Sequence, residues 1–247
     1  MNDPVGNLER LLEEQAELHA KDRARRAAEW QKRRAAVRAD AIRTELRRMG
    51  VRLLDEDLDM VVAGELDGTT QALLGARRFQ SSDRRFCVML GPPGVGKTIA
   101  GVWLAMQPAV EAVDHWLERL DRSDEPLRDL QRARLHIPPC EWVSAPDVAT
   151  RWTRWRGDVE ALPLIYRDAE VLIVDDLGTE STTDRWQESF GQLIDYRQTV
   201  GRTVLNANLE KSDIRKRYGD RVADRLNHTG VAMRLPGPSR RRQGAGL

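Results

Sequence analysis

Phe86-Cys87-Val88-Met89-Leu90-Gly91-Pro92-Pro93-Gly94-Val95-Gly96-Lys97-Thr98 is the stretch that decides the fold. Five apolar residues run directly into a glycine loop that closes on Lys-Thr, with the spacing G-x-x-x-x-G-K-[ST]. A helical pattern follows from Thr98 to Met106, carrying Val102, Trp103 and Leu104. A buried strand, a glycine loop and a helix in that order are what phosphate binding needs. The glycines let backbone N–H groups wrap an anion, and the helix N-terminus faces it with the favourable end of its dipole. Lys97 then reaches the β- and γ-phosphates, and Thr98 holds Mg²⁺ through its hydroxyl. Gly91, Pro92, Pro93, Gly94, Val95, Gly96, Lys97 and Thr98 are therefore the candidate nucleotide loop, with ATP and Mg²⁺ as the expected cofactors.

Downstream, Val171-Leu172-Ile173-Val174-Asp175-Asp176 is a continuous apolar run ending in two carboxylates. Such a run marks a central parallel strand, and parallel sheets bind ligands beyond the C-terminal ends of their strands. Asp175 is expected to orient Mg²⁺ and its waters, and Asp176 to polarise the attacking water. Further strands are expected at Cys140–Val143, Thr203–Asn206 and Val231–Leu235. Helical stretches lie between them: Pro146–Arg156, Asp184–Val200, and two short ones around Ser212 and Arg221–Leu226. Strands alternating with helices imply an α/β fold, a parallel sheet flanked by helices.

The 247 residues exceed what one compact sheet needs, and the surplus lies at the N-terminus. Leu8 to Met49 contains neither glycine nor proline and is rich in Ala, Leu, Glu and Arg, a strongly helical composition. Between Lys21 and Arg38 it offers mostly alanines and Trp30 among charges, so this helix either projects or meets a partner. A second amphipathic segment, Leu53 to Val62, closes near Gly64 or Gly68. We divide the chain into an N-terminal charged helical region for partner binding, residues 1–68, and an ATPase domain, residues 69–247. Net charge is only +1, but arginines crowd both ends, which fits a nucleic-acid or acidic-protein partner, or simply a solvated helix face. Cys87 and Cys140 sit alone in apolar stretches and read as buried, reduced thiols. No apolar run approaches the roughly 20 residues that span a bilayer. No membrane partner and a cytoplasmic location are therefore expected.

The segment Leu172-Ile173-Val174-Asp175-Asp176-Leu177-Gly178-Thr179-Glu180 resembles the Walker B segment of the bacterial DnaC/DnaI helicase loaders, an AAA+ family. The resemblance continues through Ile194-Asp195-Tyr196-Arg197, Thr203-Val204-Leu205-Asn206-Ala207-Asn208-Leu209 and Tyr218-Gly219-Asp220-Arg221-Val222-Ala223-Asp224-Arg225-Leu226, and it ends at Gly237-Pro238-Ser239-Arg240. It covers about Thr69 to Arg240. It implies an AAA+ P-loop NTPase fold with an N-terminal helical extension, and an ATPase whose hydrolysis is coupled to remodelling of protein and DNA. Asn208 falls at the sensor 1 position, with Asn206 a nearby alternative. Arg225 falls at the arginine finger offered to a neighbouring subunit's ATP. Arg221, one helical turn away, is the alternative finger, and a salt bridge of either to Asp220 or Asp224 is the competing role. Arg240 falls at sensor 2, unless it belongs to a basic tail with Arg241. A finger acting on a neighbour implies self-assembly into a ring or open spiral.

The family's activity implies a replicative DnaB-type helicase and single-stranded DNA as partners. IstB-like ATPases, transposition helpers that bind duplex DNA and recruit a transposase, are the alternative. Sensor and finger residues without an evident lid argue against a small-molecule kinase. Arg151-Trp152-Thr153-Arg154-Trp155-Arg156 interleaves cations and indoles. Arg151, Trp152, Arg154, Trp155 and Arg156 are candidate single-strand contacts, with arginines meeting phosphates and indoles stacking on bases. An amphipathic helix that buries its tryptophans is the other reading. Pro108 to Pro139 is longer than the family pattern and reads as an added, charged helical surface element.

Overall fold

A computed structural model describes residues 4–51, 61, 71–121, 139–154, 166 and 168–237; for residues 4–14, 120, 121 and 152–154 only the backbone is described. In chain order the elements are α1 (Pro4–Met49), α2 (Gln71–Gln80), β1 (Phe86–Leu90), α3 (Lys97–Asp121), β2 (Cys140–Ser144) and α4 (Ala145–Arg154). They continue as β3 (Val171–Leu177), α5 (Asp184–Arg197), β4 (Arg202–Ala207), α6 (Lys211–Thr229) and β5 (Gly230–Arg234). The five strands form one sheet in the order β2-β3-β4-β1-β5, and every ladder is parallel. β1 pairs Phe86 with Thr203 on one side and with Gly230 on the other.

Alternation along each strand divides the core into two layers. Cys87, Met89, Ile173 and Val204 face α1, α2 and α3, meeting Ile42, Leu46, Phe79, Val102 and Met106. Val88, Leu90, Leu172, Val174 and Leu205 face α4, α5 and α6, meeting Val148, Trp186, Phe190, Tyr218 and Leu226. Both cysteines are free and buried, and burial pushes each thiol up to about 12. Local signals start two of the helices where they begin. Thr183 caps α5 by accepting from the Trp186 N–H at 3.1 Å. Glu210 and Asp213 form a reciprocal capping box at the start of α6. Within α6, Gly219 takes φ 85°, ψ 169° and splits it into the two short helices expected around Ser212 and Arg221.

Two elements differ from the sequence reading. α3 does not stop near Met106 but runs through Pro108 to Asp121. A proline inside a helix costs about 3 kcal/mol, and tertiary packing offsets it here. Ala109, Val113 and Leu117 are buried, with the last two sealed against Ala41 of α1. The described start of the Pro108–Pro139 element is thus a core-forming continuation of α3 rather than an added surface piece; residues 122–138 lie outside the described residues. The end of α1 likewise does not project. Ile42, Leu46 and Met49 enter the core, Arg38 pairs with Asp114 at 3.0 Å, and Arg48 bonds to Glu141 of β2 at 2.8 Å. Most of the exposed charge that the composition implied lies on the earlier turns, from Lys21 to Arg33, while Arg34 and Arg38 are half-buried. Of the amphipathic segment Leu53–Val62 only Val61 is described, and it is buried in the α1–α2–α3 layer. Among the described residues no helix is long and apolar enough to cross a membrane.

Candidate nucleotide site

Gly94 and Gly96 have φ of 82° and 95°, in the left-handed region that side chains disfavour, and this lets the loop fold back over the start of α3. Lys97 opens that helix and is buried. Its ammonium donates to Gly91 O at 2.8 Å, Pro92 O at 2.8 Å and Asn208 Oδ1 at 2.9 Å, so three acceptors meet its three protons. The loop is therefore braced from β4, whose end also receives the Gly91 N–H through Ala207 O at 3.2 Å. Thr98, half-buried, follows in the first turn of α3.

The carboxylates arrive from β3. Its ladder to β4 shifts between Val174 and Leu177, and within this irregularity Asp176 adopts φ 55°. Among the described residues no other non-glycine has positive φ. Such backbone strain concentrates at functional sites. Asp176 is exposed, and its carbonyl is held by Thr179 through N–H (3.1 Å) and Oγ1–H (2.7 Å). Asp175 is buried; its Oδ1 accepts from the Asp176 N–H at 3.0 Å and its Oδ2 from Trp142 Nε1 at 3.3 Å. Asn208 N–H donates to Leu177 O at 3.1 Å, which joins the exits of β3 and β4. Loop, carboxylates and Asn208 thus gather at the C-terminal edge of the sheet. Thr98 hydroxyl and Asp175 carboxylate are hard oxygen donors, which suit Mg²⁺ held by one or two protein groups together with phosphates. Asn206, the other sensor candidate, does not reach the loop. Its amide is fully buried beneath α3, and neither polar atom has a hydrogen-bond partner among the described residues.

The α6 arginines do not take the partners that the competing salt-bridge reading named. Arg221 and Arg225 both form ion pairs with Asp195 of α5, one to each carboxylate oxygen. Asp220 and Asp224, the partners expected in the competing reading, are taken instead by Arg215. Sharing one acceptor puts Arg221 and Arg225 on the same face of α6. That helix packs on the sheet face opposite α3.

Of the candidate DNA contacts, Arg151 is exposed on α4 and donates to the Tyr166 hydroxyl at 3.1 Å. Trp152 and Arg154 continue α4, with only their backbone described. Trp155, Arg156 and Arg240 lie outside the described residues.

Several residues that pattern reading passed over support the site. Glu180 is buried and gathers Gly178 N–H at 2.8 Å, Trp186 Nε1 at 3.2 Å, Arg217 Nε at 3.2 Å and the Tyr218 hydroxyl at 2.5 Å. Burial alone would raise its carboxyl, but the hydrogen bonds from Tyr218, the backbone and Arg217 bring it below the usual value. This cluster ties the loop after β3 to the first half of α6. Arg197, fully buried, donates to Thr203 Oγ1 (3.0 Å), Ala169 O (2.7 Å) and Arg202 O (2.6 Å), and so clamps the opposite edge of β3 and β4. Burial lowers its guanidinium to about 10, which leaves it charged at neutral pH. Their only sequence signal was proximity: both lie within the segments that carry the family resemblance.

The strand that enters the glycine loop neighbours β4, not β3, so one strand separates it from the strand that ends in carboxylates. That interposed strand, with helices on both faces, is an arrangement of P-loop NTPases, the AAA+ type among them. The sequence matches no family model and no curated protein. Among solved structures the chain is similar to the DnaC helicase loader (19% identity, TM-score 0.48, covering 67% of this chain and 89% of that one). It is also similar to DnaI (19%, TM-score 0.46, 71% and 85%). A third similar structure is AMPPCP-bound DnaA from Aquifex aeolicus (15%, TM-score 0.45, 65% and 44%). At such identities and scores, the functional reading rests on the chain's own residues.

Proposed function

We propose that this protein is an ATP-dependent loader of a replicative DnaB-type helicase, binding the helicase through its N-terminal helical region, residues 1–68, and engaging single-stranded DNA. The observation that carries the nucleotide half of this reading is the Lys97 ammonium bridging the glycine loop to Asn208, beside Asp175 and Asp176. In this reading the loop N–H groups and Lys97 bind the ATP phosphates. Thr98 and Asp175 hold Mg²⁺, which neutralises phosphate charge when bound. Asp176 takes the proton of the attacking water, and Asn208 orients that water. Arg225 lies across the sheet from α3, which suits a finger offered to a neighbouring chain, with Arg221 as its alternate.

The helicase half rests on the ordered motifs from Asp175 to Arg225 and on the exposed charge of α1 around Lys21–Arg33. The test is capture of a DnaB-type hexamer by the full-length protein, with ATP, a non-hydrolysable analogue or no nucleotide. Capture in at least one state is expected; capture in none sinks the loader assignment. Filaments formed on duplex DNA only with ATP, together with transposase binding, would instead support the IstB-like alternative.

A further inference from the structure

Among the described residues β2 lies at the edge of the sheet, and its ladder neighbour is β3, paired from Cys140↔Val171 to Ser144↔Asp175. An edge strand has lateral support from one side only, so other contacts must fix its position. Here α1 supplies them. Arg48 donates to Cys140 O at 2.7 Å, to Glu141 Oε1 at 2.8 Å and to Glu45 Oε1 at 2.8 Å. The Glu45 hydrogen bond and, after it, the one to Glu141 hold the guanidinium more firmly protonated than usual, against the opposing effect of burial. The next residue along, Trp142, faces the other side of the strand. Its ring packs against the apolar layer that contains Ile42, Leu46 and Met49 of α1. Its Nε1–H points at Asp175 Oδ2, 3.3 Å away.

We propose that Trp142 is a positioning residue for the Asp175 carboxylate, and that Arg48 couples the seating of α1 to it through β2. This rests on the Mg²⁺–ATP reading of the site and deepens it. An indole N–H carries no charge and does not compete for the metal. Donating along one lone pair of Oδ2, it fixes the carboxylate plane, while the Asp176 N–H fixes Oδ1. α1 grips the strand from its open edge through Arg48, and its Ile42, Leu46 and Met49 belong to the same apolar layer that the ring packs against. A partner that pulls on α1 therefore changes the orientation of Asp175 without touching the nucleotide. The path consists of hydrogen bonds at its two ends, Arg48 to Cys140 and Glu141 and Trp142 to Asp175, joined by the backbone of β2 between them.

Trp142→Phe keeps an aromatic ring in the layer and removes only the donor. The probe is a fluorescent ATP analogue, titrated with Mg²⁺ and, separately, bound in EDTA, alongside a thermal melt of the full chain. We expect Trp142→Phe to leave the EDTA affinity and the melt near wild type, and to raise the Mg²⁺ midpoint roughly three- to tenfold, the effect of one hydrogen bond. Arg48→Gln should shift the midpoint in the same direction. An unmoved midpoint in Trp142→Phe overturns the positioning role. A shift in Trp142→Phe with none in a folded Arg48→Gln overturns the coupling to α1. If wild type binds the analogue equally with Mg²⁺ and EDTA, the metal reading itself fails, a result separable from the other two.

Discussion

Lys97 and Asn208 are separated by more than a hundred residues, yet one hydrogen bond of 2.9 Å joins them. Lys97→Ala removes the cation of the loop and should abolish nucleotide binding, read as loss of fluorescent ATP-analogue binding. Asn206 within β4 and Asn208 just past its end should separate cleanly. Asn208→Ala should spare folding and slow hydrolysis by tenfold or more, the scale of a lost catalytic hydrogen-bond donor. Asn206→Leu, by contrast, replaces an unpartnered buried amide with an apolar group of similar size and should stabilise the fold by about 1 kcal/mol in urea unfolding. A destabilised, hydrolysis-dead Asn206→Leu would return the sensor role to that position. Glu180 makes a prediction in pH. Its folded carboxyl lies below the unfolded value of 4.5, so its contribution is complete above that pH and is lost as pH falls through the lowered folded value. Glu180→Gln should cost roughly 1.5–3 kcal/mol near neutrality. It should also flatten the acid limb, so that variant and wild type converge in unfolding experiments toward pH 3.

At the scale of elements, the seam between α1 and α3 is where local rules gave way. Pro108 argues for a helix end, but the apolar positions after it, Ala109, Val113 and Leu117, keep helical spacing and find α1 waiting. Leu117 is fully buried there. Leu117→Ala should therefore cost about 2–5 kcal/mol in denaturant unfolding, a cavity in the core rather than a surface change. A cost below 0.5 kcal/mol would mean that the seam does not hold in solution. The same seam bears on truncation. Removing residues 1–30 leaves it intact, whereas removing 1–64 strips Ile42, Leu46, Met49 and Val61 from the core. Loss of helicase binding after the longer cut would therefore report unfolding as readily as a lost docking site.

At the scale of the whole molecule, one chain's α6 would meet another chain's loop in the proposed assembly. Asp195 holds both Arg221 and Arg225 in the single chain, so a finger acting on a neighbour would exchange a carboxylate for phosphate oxygens at one guanidinium or both. Arg225→Ala should keep ATP affinity and lose ATP-dependent assembly, followed by sedimentation, and hydrolysis, by about a thousandfold. Mixing Lys97→Ala with Arg225→Ala subunits should restore part of the hydrolysis, because an intact loop from one then meets an intact finger from the other. Unchanged hydrolysis in Arg225→Ala moves the finger to Arg221 or removes it.

The glycine loop, the apolar strands and the Asp175-Asp176 end were legible in the sequence alone. Phosphate cradles and buried parallel strands are encoded by near neighbours: glycines at fixed spacing, a lysine at the helix start, runs of branched apolar residues. The order of those motifs also carried the fold class. What only the tertiary structure decided were partnerships between distant residues. It gave Asn208 rather than Asn206 to Lys97, set Asp195 under both arginines in place of Asp220 or Asp224, and brought Glu180 to Tyr218. It also carried α3 through its proline and pressed the end of α1 into the core. Each depends on which faces the sheet brings together, and burial there outweighs the local preferences that a sequence displays.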